Sequence, residues 1–275
     1  IFSPSAKLYN WQTSDFPLLA HQHASPLGIK DLKQRIVNNL LERKQLKVLE
    51  KNILITCGAT HGIGTVLKAI LNQDDEVLIL SPQWLFIVGL VRAAGGHAIE
   101  VPVFLELNYD RSFNLIDALS AKLTDKTKAL YFNTPNNPTG YSLNKQELLT
   151  IADFAKENDL WIISDNAYEN YDFKNKFTDI AKFNEINDRT FSIYTFSKTY
   201  AMPGYRVGYV IVPDHMEERI KKWGLYSIYS LSTASQYGAF QALGTSREVL
   251  ETYRNEAQMA KNIVDNKLII PHTEI

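Results

Sequence analysis

The 275 residues include 29 basic and 30 acidic side chains, a formal net charge of -1, and are 45% hydrophobic and 21% charged. This is the composition of a soluble globular chain with a sizeable core, and it gives no electrostatic reason to bind nucleic acid or an anionic membrane. Cys57 is the single cysteine, which excludes an internal disulfide and a multi-cysteine metal site and fits a reducing, cytoplasmic setting.

The length allows one large domain, or one domain and part of another. The opening Ile1-Phe2-Ser3-Pro4 lacks the basic-then-apolar pattern of a secretory signal. Apolar positions at helical spacing predict a helix over residues 29–43. Residues 53–57 read as a strand and 59–71 as a more apolar, more buried helix. Strands follow at 77–80 and 98–101. The longest apolar region, 77–91, is cut by Ser81-Pro82-Gln83, and neither piece is long enough to span a bilayer. Residues 128–132 read as a strand, 144–157 as an amphipathic helix, and 160–164, 191–195 and 207–212 as strands. Residues 214–223 predict another helix with Asp214 as its N-cap, and 246–265 a long helix that leaves the sheet. Most of the seven strands are continuously apolar, as strands covered on both faces are. Their alternation with helices predicts an α/β fold around a mostly parallel sheet.

The most informative string is Thr195-Phe196-Ser197-Lys198-Thr199-Tyr200-Ala201-Met202-Pro203-Gly204-Tyr205-Arg206. It places a lysine at a strand end, with the Thr195 hydroxyl three residues before it and Arg206 eight after. The amine suits a Schiff base with an aldehyde cofactor, and the hydroxyl and guanidinium suit that cofactor's phosphate. Four more strings stand at strand ends: Gly58-Ala59-Thr60, Ser81-Pro82-Gln83-Trp84, Asn133-Thr134-Pro135-Asn136-Asn137-Pro138-Thr139-Gly140, and Ser164-Asp165-Asn166-Ala167-Tyr168. Taken singly they are a helix cap, a core aromatic, a turn and a strand-end aspartate. Together, in this order, they resemble the fold-type I, pyridoxal-phosphate-dependent enzymes, specifically the class I/II aminotransferases.

The resemblance implies the large-domain fold of those transferases: three layers, α/β/α, with a mostly parallel seven-stranded sheet. It implies pyridoxal 5'-phosphate as cofactor and Lys198 as the residue of the internal aldimine. Asp165 would pair with the pyridine nitrogen, while Asn137 and Tyr168 would donate to the ring hydroxyl oxygen and Trp84 would stack on the ring. Gly58, Ala59, Thr60, Thr195 and Arg206 would hold the phosphate, the helix start adding its N–H groups and dipole. Lys198, Asp165 and Tyr168 are the expected catalytic residues. Small molecules, an amino acid and a keto acid, are the expected substrates, and a homodimer the expected assembly. The same residues also serve lyases, decarboxylases and cyclising enzymes of this fold, and non-enzymatic cofactor-binding modules.

A second fingerprint competes. Gly58-Ala59-Thr60-His61-Gly62-Ile63-Gly64 fits the glycine turn of short-chain dehydrogenases, and Tyr194 with Lys198 fits their Tyr-x-x-x-Lys pair. However, Tyr194 lies in a strand-like run, so the two side chains would not share a helix face, and that reading leaves Asn137, Asp165 and Arg206 unexplained.

The resemblance runs from about Leu8 to Asp265. His23 stands where many members place a tyrosine that reaches the neighbouring subunit's phosphate. Nothing after Asp265 matches the family's carboxylate-binding arginine. The expected organisation is an N-terminal segment at 1–30, a cofactor-binding large domain at 31–245, and the start of an incomplete C-terminal small domain at 246–275.

Overall fold

The computed structural model describes residues 22–174 and 177–267. The first 21 residues of the expected N-terminal segment and residues 268–275 lie outside them.

A helix, α1 (Lys30–Lys44), precedes the first strand, β1 (Ile53–Thr56), which feeds α2 (Gly58–Ile70). Next come β2 (Glu76–Ser81), α3 (Ile87–Ala93) and β3 (His97–Pro102), then two short helices, α4 (Phe104–Tyr109) and α5 (Leu115–Ser120). After β4 (Thr127–Asn133), α6 (Lys145–Glu157) and β5 (Trp161–Asp165), the chain passes through short 3-10 turns to β6 (Thr190–Thr195) and β7 (Gly208–Ile211). Three helices close the described chain: α7 (Glu217–Ile228), α8 (Thr233–Ala242) and α9 (Arg247–Lys267).

The seven strands form one sheet in the order β1-β7-β6-β5-β4-β2-β3. All neighbours are parallel except β7, which runs antiparallel to both β1 and β6. The continuous apolar runs are explained by burial on both faces, because successive side chains of a strand point opposite ways. In β2, Val77 and Ile79 pack with Ile63, Val66, Leu67 and Ile220 of α2 and α7. Leu78 and Leu80 pack with Leu119 of α5 and with Leu148 and Ile151 of α6 on the other face. The layered α/β/α architecture is therefore as expected.

All seven predicted strands are present, with ends shifted by a residue or so. Asp214 is a correction. It opens a 3-10 turn, Asp214–Met216, before α7 and does not cap the helix. Its carboxylate accepts instead from Asn52 Nδ2 (2.5 Å) and Lys51 Nζ (3.2 Å). The unpredicted helices are short or lack a large apolar stripe. In α8 the buried face is built from Thr233, Gln236, Gly238, Ala239 and Ala242, which gives little hydrophobic periodicity to read.

Since β7 is the one reversed strand, the C-terminal ends of β1, β4, β5 and β6 share one edge with the N-terminal ends of β7 and α2. Open α/β sheets place their sites at this edge.

Candidate active site

Parallel pairing brings the strand-end motifs together. Asn133 at the end of β4 is in register with Asp165 at the end of β5, and Asp165 with Ile193 of β6. Thr195, at the end of β6, faces Gly208 of β7, which in turn faces Thr56 of β1. Residues as far apart in sequence as Ala59 and Arg206 thus line one cleft, with about 620 Å³ of empty space including the part open to solvent. Ala59, Thr60, Trp84, Asn137, Asp165, Tyr168, Thr195, Lys198 and Arg206 all line it. Gly58 stands just behind the wall. A Cβ on it would lie 2.6 Å from Arg206 Nη2, so the missing side chain is the space the guanidinium occupies.

Asp165 forms the floor and is 4% exposed. Its carboxylate accepts from Tyr131 Oη (2.9 Å) and from the Ala167 N–H (3.1 Å). Burial pushes its pKa up to about 6, although the Tyr131 hydroxyl, the Ala167 N–H and the Lys198 charge all pull the other way. Above that pH the floor of the cleft carries a buried negative charge.

Lys198 follows β6 and its side chain is exposed to the cleft. Nζ lies 5.3 Å from the centroid of the Tyr168 ring, within cation–π range. The Tyr171 hydroxyl donates to the Lys198 carbonyl (3.2 Å) and ties the loop down. Tyr168 Oη accepts from Asn137 Nδ2 (3.4 Å), so the two polar groups meet on one side of the cleft.

The third wall gathers donors. Ser197 N–H donates to Thr195 Oγ1 (3.1 Å), Thr195 Oγ1 donates to Ser197 Oγ (3.0 Å), and Arg206 Nη1 approaches Ser197 Oγ (3.4 Å). Arg206 has φ +54, a left-handed conformation that costs a non-glycine residue energy and clusters at functional sites. Opposite stands the start of α2. Cys57 makes no side-chain cap there, so the first N–H groups of the helix keep their capacity for an anion. Backbones crowd at this point: a Cβ on Gly208 would meet Tyr194 O at 2.6 Å and Gly58 C at 2.8 Å. Trp84 is half-buried, lines the cleft and meets Phe86 edge-on, with ring centroids 5.4 Å apart.

Sequence reasoning missed three contributors. Tyr131 lay inside an apolar run, and only the alternation of β4 points it to the floor. Asn133 joins two motifs: its Nδ2 donates to the Asp165 carbonyl (2.9 Å) and its Oδ1 accepts from the Asn137 N–H (2.7 Å). Ser197 adjoins Lys198 but was overshadowed by Thr195. Tyr194 is no partner to Lys198. It is 2% exposed and donates to Asp179 (2.5 Å) on the other side of β6, which removes the dehydrogenase pair. His23 is exposed, edge-on to Tyr229 at 5.5 Å between ring centroids. Among the described residues no group of three or more metal-ligating side chains is found, and no helix is long and apolar enough to cross a membrane.

Residues 20–267 match the family model described as aminotransferase class I and II. The chain is 33% identical over 251 residues to a probable aspartate/prephenate aminotransferase of Aquifex aeolicus, covering 90% of this chain and 63% of the relative. It is 36% identical over 251 residues to an aromatic-amino-acid aminotransferase of Thermococcus litoralis, covering 90% of this chain and 64% of the relative. The crystal structure of an aromatic aminotransferase from Pyrococcus horikoshii superposes with a TM-score of 0.89 at 32% identity, over 96% of this chain and 71% of the other. The chain thus spans rather less than two thirds of the length of these two sequence relatives.

Proposed function

Because the chain belongs to the class I and II aminotransferase family, whose members work with pyridoxal 5'-phosphate, we propose that it moves an amino group between an amino acid and a 2-keto acid, with Lys198 as the residue that joins the cofactor. The observation that carries this reading is the shared cleft of the Lys198 amine and the buried Asp165 carboxylate, beside the donors at Arg206, Ser197 and the start of α2.

The residues present fit the cofactor. The donor wall has the chemistry of a phosphate site, and the space left by the absent Gly58 side chain lets the Arg206 guanidinium reach it. Thr60, Thr195 and Ser197 add hydroxyls and Ala59 a backbone N–H. Asp165, ionised above about pH 6, would accept from the pyridine nitrogen and keep it protonated. Tyr131 and the Ala167 N–H hold that carboxylate in place. Asn137 and Tyr168 would donate to the cofactor's ring oxygen, and Trp84, which lines the same cleft, would stack on the ring.

When bound, pyridoxal phosphate supplies an aldehyde carbon and an electron-withdrawing ring. Lys198 Nζ, held in the cleft over the Tyr168 ring, would then serve as the general base that accepts the proton of the substrate α-carbon and gives it back.

Borohydride reduction of the purified protein with cofactor, followed by peptide mapping, should give a cofactor adduct on Lys198 that Lys198→Ala abolishes. An adduct elsewhere, or none, overturns the assignment. Mixing with aspartate or aromatic amino acids, the substrates named for the relatives, should convert the cofactor to its amine form. Release of ammonia or carbon dioxide instead would mark a lyase or decarboxylase. We further infer a large cofactor-binding domain at 31–245, a C-terminal unit beginning at 246, a homodimer, and a cytoplasmic setting. Sedimentation of the protein at micromolar concentration tests the dimer.

A further inference from the structure

The geometry at the start of α2 assigns His61 as a positioning residue: its imidazole, locked in one tautomer, fixes the turn from Cys57 to Thr60 so that the first helical N–H groups face the phosphate site. The inference rests on the cofactor reading above and concerns a residue that the motif comparison left without a role.

Helix starts leave several N–H groups without intrahelical acceptors. The usual remedy is reciprocal: the cap side chain accepts an N–H from the first turn, and a residue in that turn reaches back to the cap N–H. Helix α6 uses both halves, through Asn144 and Glu147. Helix α2 has only one. Cys57, in the cap position, offers its first turn no side-chain acceptor. The reverse bond is present, made by an imidazole: the Cys57 N–H donates to His61 Nδ1 at 3.1 Å. The half that anchors the incoming chain is kept, and the half that would occupy the anion-facing donors is missing. Ala59 and Thr60 of that turn line the cleft.

The network also settles the proton. An N–H donor into Nδ1 requires that nitrogen to be bare, so the proton sits on Nε2. Nε2 lies 2.6 Å from Ser227 Oγ, with Thr65 Oγ1 further off at 3.3 Å. Ser227 in turn donates to the Gly224 carbonyl (2.9 Å), so its oxygen is free to accept from His61. Burial lowers the imidazole pKa, which keeps Nδ1 an acceptor, and among the described residues no charged side chain contributes to that shift. The anchors lie on two elements. Ser227 and Gly224 belong to α7, which packs on β1 closely enough that a Cβ on Gly224 would sit 3.2 Å from Leu54 Cδ2. Thr56 of β1 donates to the Gly58 carbonyl (3.0 Å). Gly58, at φ +74, is therefore held between a fixed Cys57 peptide and the Arg206 guanidinium.

The test compares His61→Leu, which removes the acceptor, with His61→Gln, whose amide oxygen can replace it. Each is titrated with pyridoxal phosphate and with pyridoxal, which lacks the phosphate, by absorbance and tryptophan fluorescence. Loss of one hydrogen bond to a part-buried N–H should weaken pyridoxal phosphate by about tenfold in His61→Leu and leave pyridoxal nearly unchanged, with His61→Gln restoring most of the affinity. Nitrogen-15 NMR of the cofactor-free wild-type protein should show the Nε2–H tautomer, a readout that needs no variant to fold. Equal weakening of both ligands, wild-type affinity in His61→Leu, or an Nδ1–H tautomer would each overturn the assignment. If wild type binds no pyridoxal phosphate, the proposed function fails, and the tautomer still decides whether His61 holds Cys57.

Discussion

The carboxyl of Asp165 makes a cofactor-free protein whose stability depends on pH in a defined window, and Asp165→Asn isolates that dependence. Burial raises its pKa from 3.8 to about 6. A group whose folded pKa is raised contributes stability that is fully present below the unfolded value of 3.8 and is lost as pH rises through about 6. The displacement of about two units corresponds to about 3 kcal/mol, of which about 2 kcal/mol is lost between pH ~4.5 and ~7.5. Asparagine does not titrate, so subtracting its profile removes every other ionisation common to both proteins. Urea unfolding of cofactor-free wild type and Asp165→Asn, followed by circular dichroism across that range, should show wild type losing about 2 kcal/mol relative to the variant. Near pH 7.5 the same substitution should weaken pyridoxal phosphate, because the ring nitrogen loses its anionic partner. Two parallel stability profiles, or a wild type that gains on the variant as pH rises, would refute the reasoning.

Tyr131→Phe removes the hydroxyl that donates to Asp165 Oδ2. It should cost about 1–2 kcal/mol near neutral pH and move the wild-type pH window upward, checked by the same urea series. Gly58→Ala forces a side chain into φ +74 and against Arg206 Nη2. We expect a loss of about 1–3 kcal/mol together with weaker binding of pyridoxal phosphate but not of pyridoxal, read by fluorescence titration. Gly208→Ala meets backbone on both sides, at Tyr194 O and Gly58 C. Neither can yield as a side chain does, so the urea midpoint should fall by the equivalent of about 1–3 kcal/mol.

Much of the site could be read before any coordinates, because its chemistry sits in short strings at strand ends. The spacing of Thr195, Lys198 and Arg206 suits an aldehyde cofactor and its phosphate, the roles expected of Asp165 and Asn137 came from the family resemblance, and the apolar runs before Asp165 and Lys198 mark them as strand-end residues. Helices with broad apolar faces, such as α2 and α6, were legible for the same reason. The short α4 and α5 and the small-residue α8 carried too little periodicity. Ser197 and Asn133 were hidden by neighbours with stronger motifs, and Tyr131 and His61 looked like ordinary members of a strand and a helix.

What the sequence alone determined is therefore local: which segments are buried strands, which are helices, and which residue types stand at their ends. A buried strand reads the same whichever way it runs and whatever lies beside it. Only the tertiary structure decided the order β1-β7-β6-β5-β4-β2-β3, with β7 reversed. That order brings Thr56 and Thr195 to either side of Gly208, and sets Tyr131 beneath Asp165 and Ser227 against His61. The physical reason is that hydrogen bonds and packing between strands and helices far apart in sequence follow the shape of the whole core, and leave no periodic trace in any one segment.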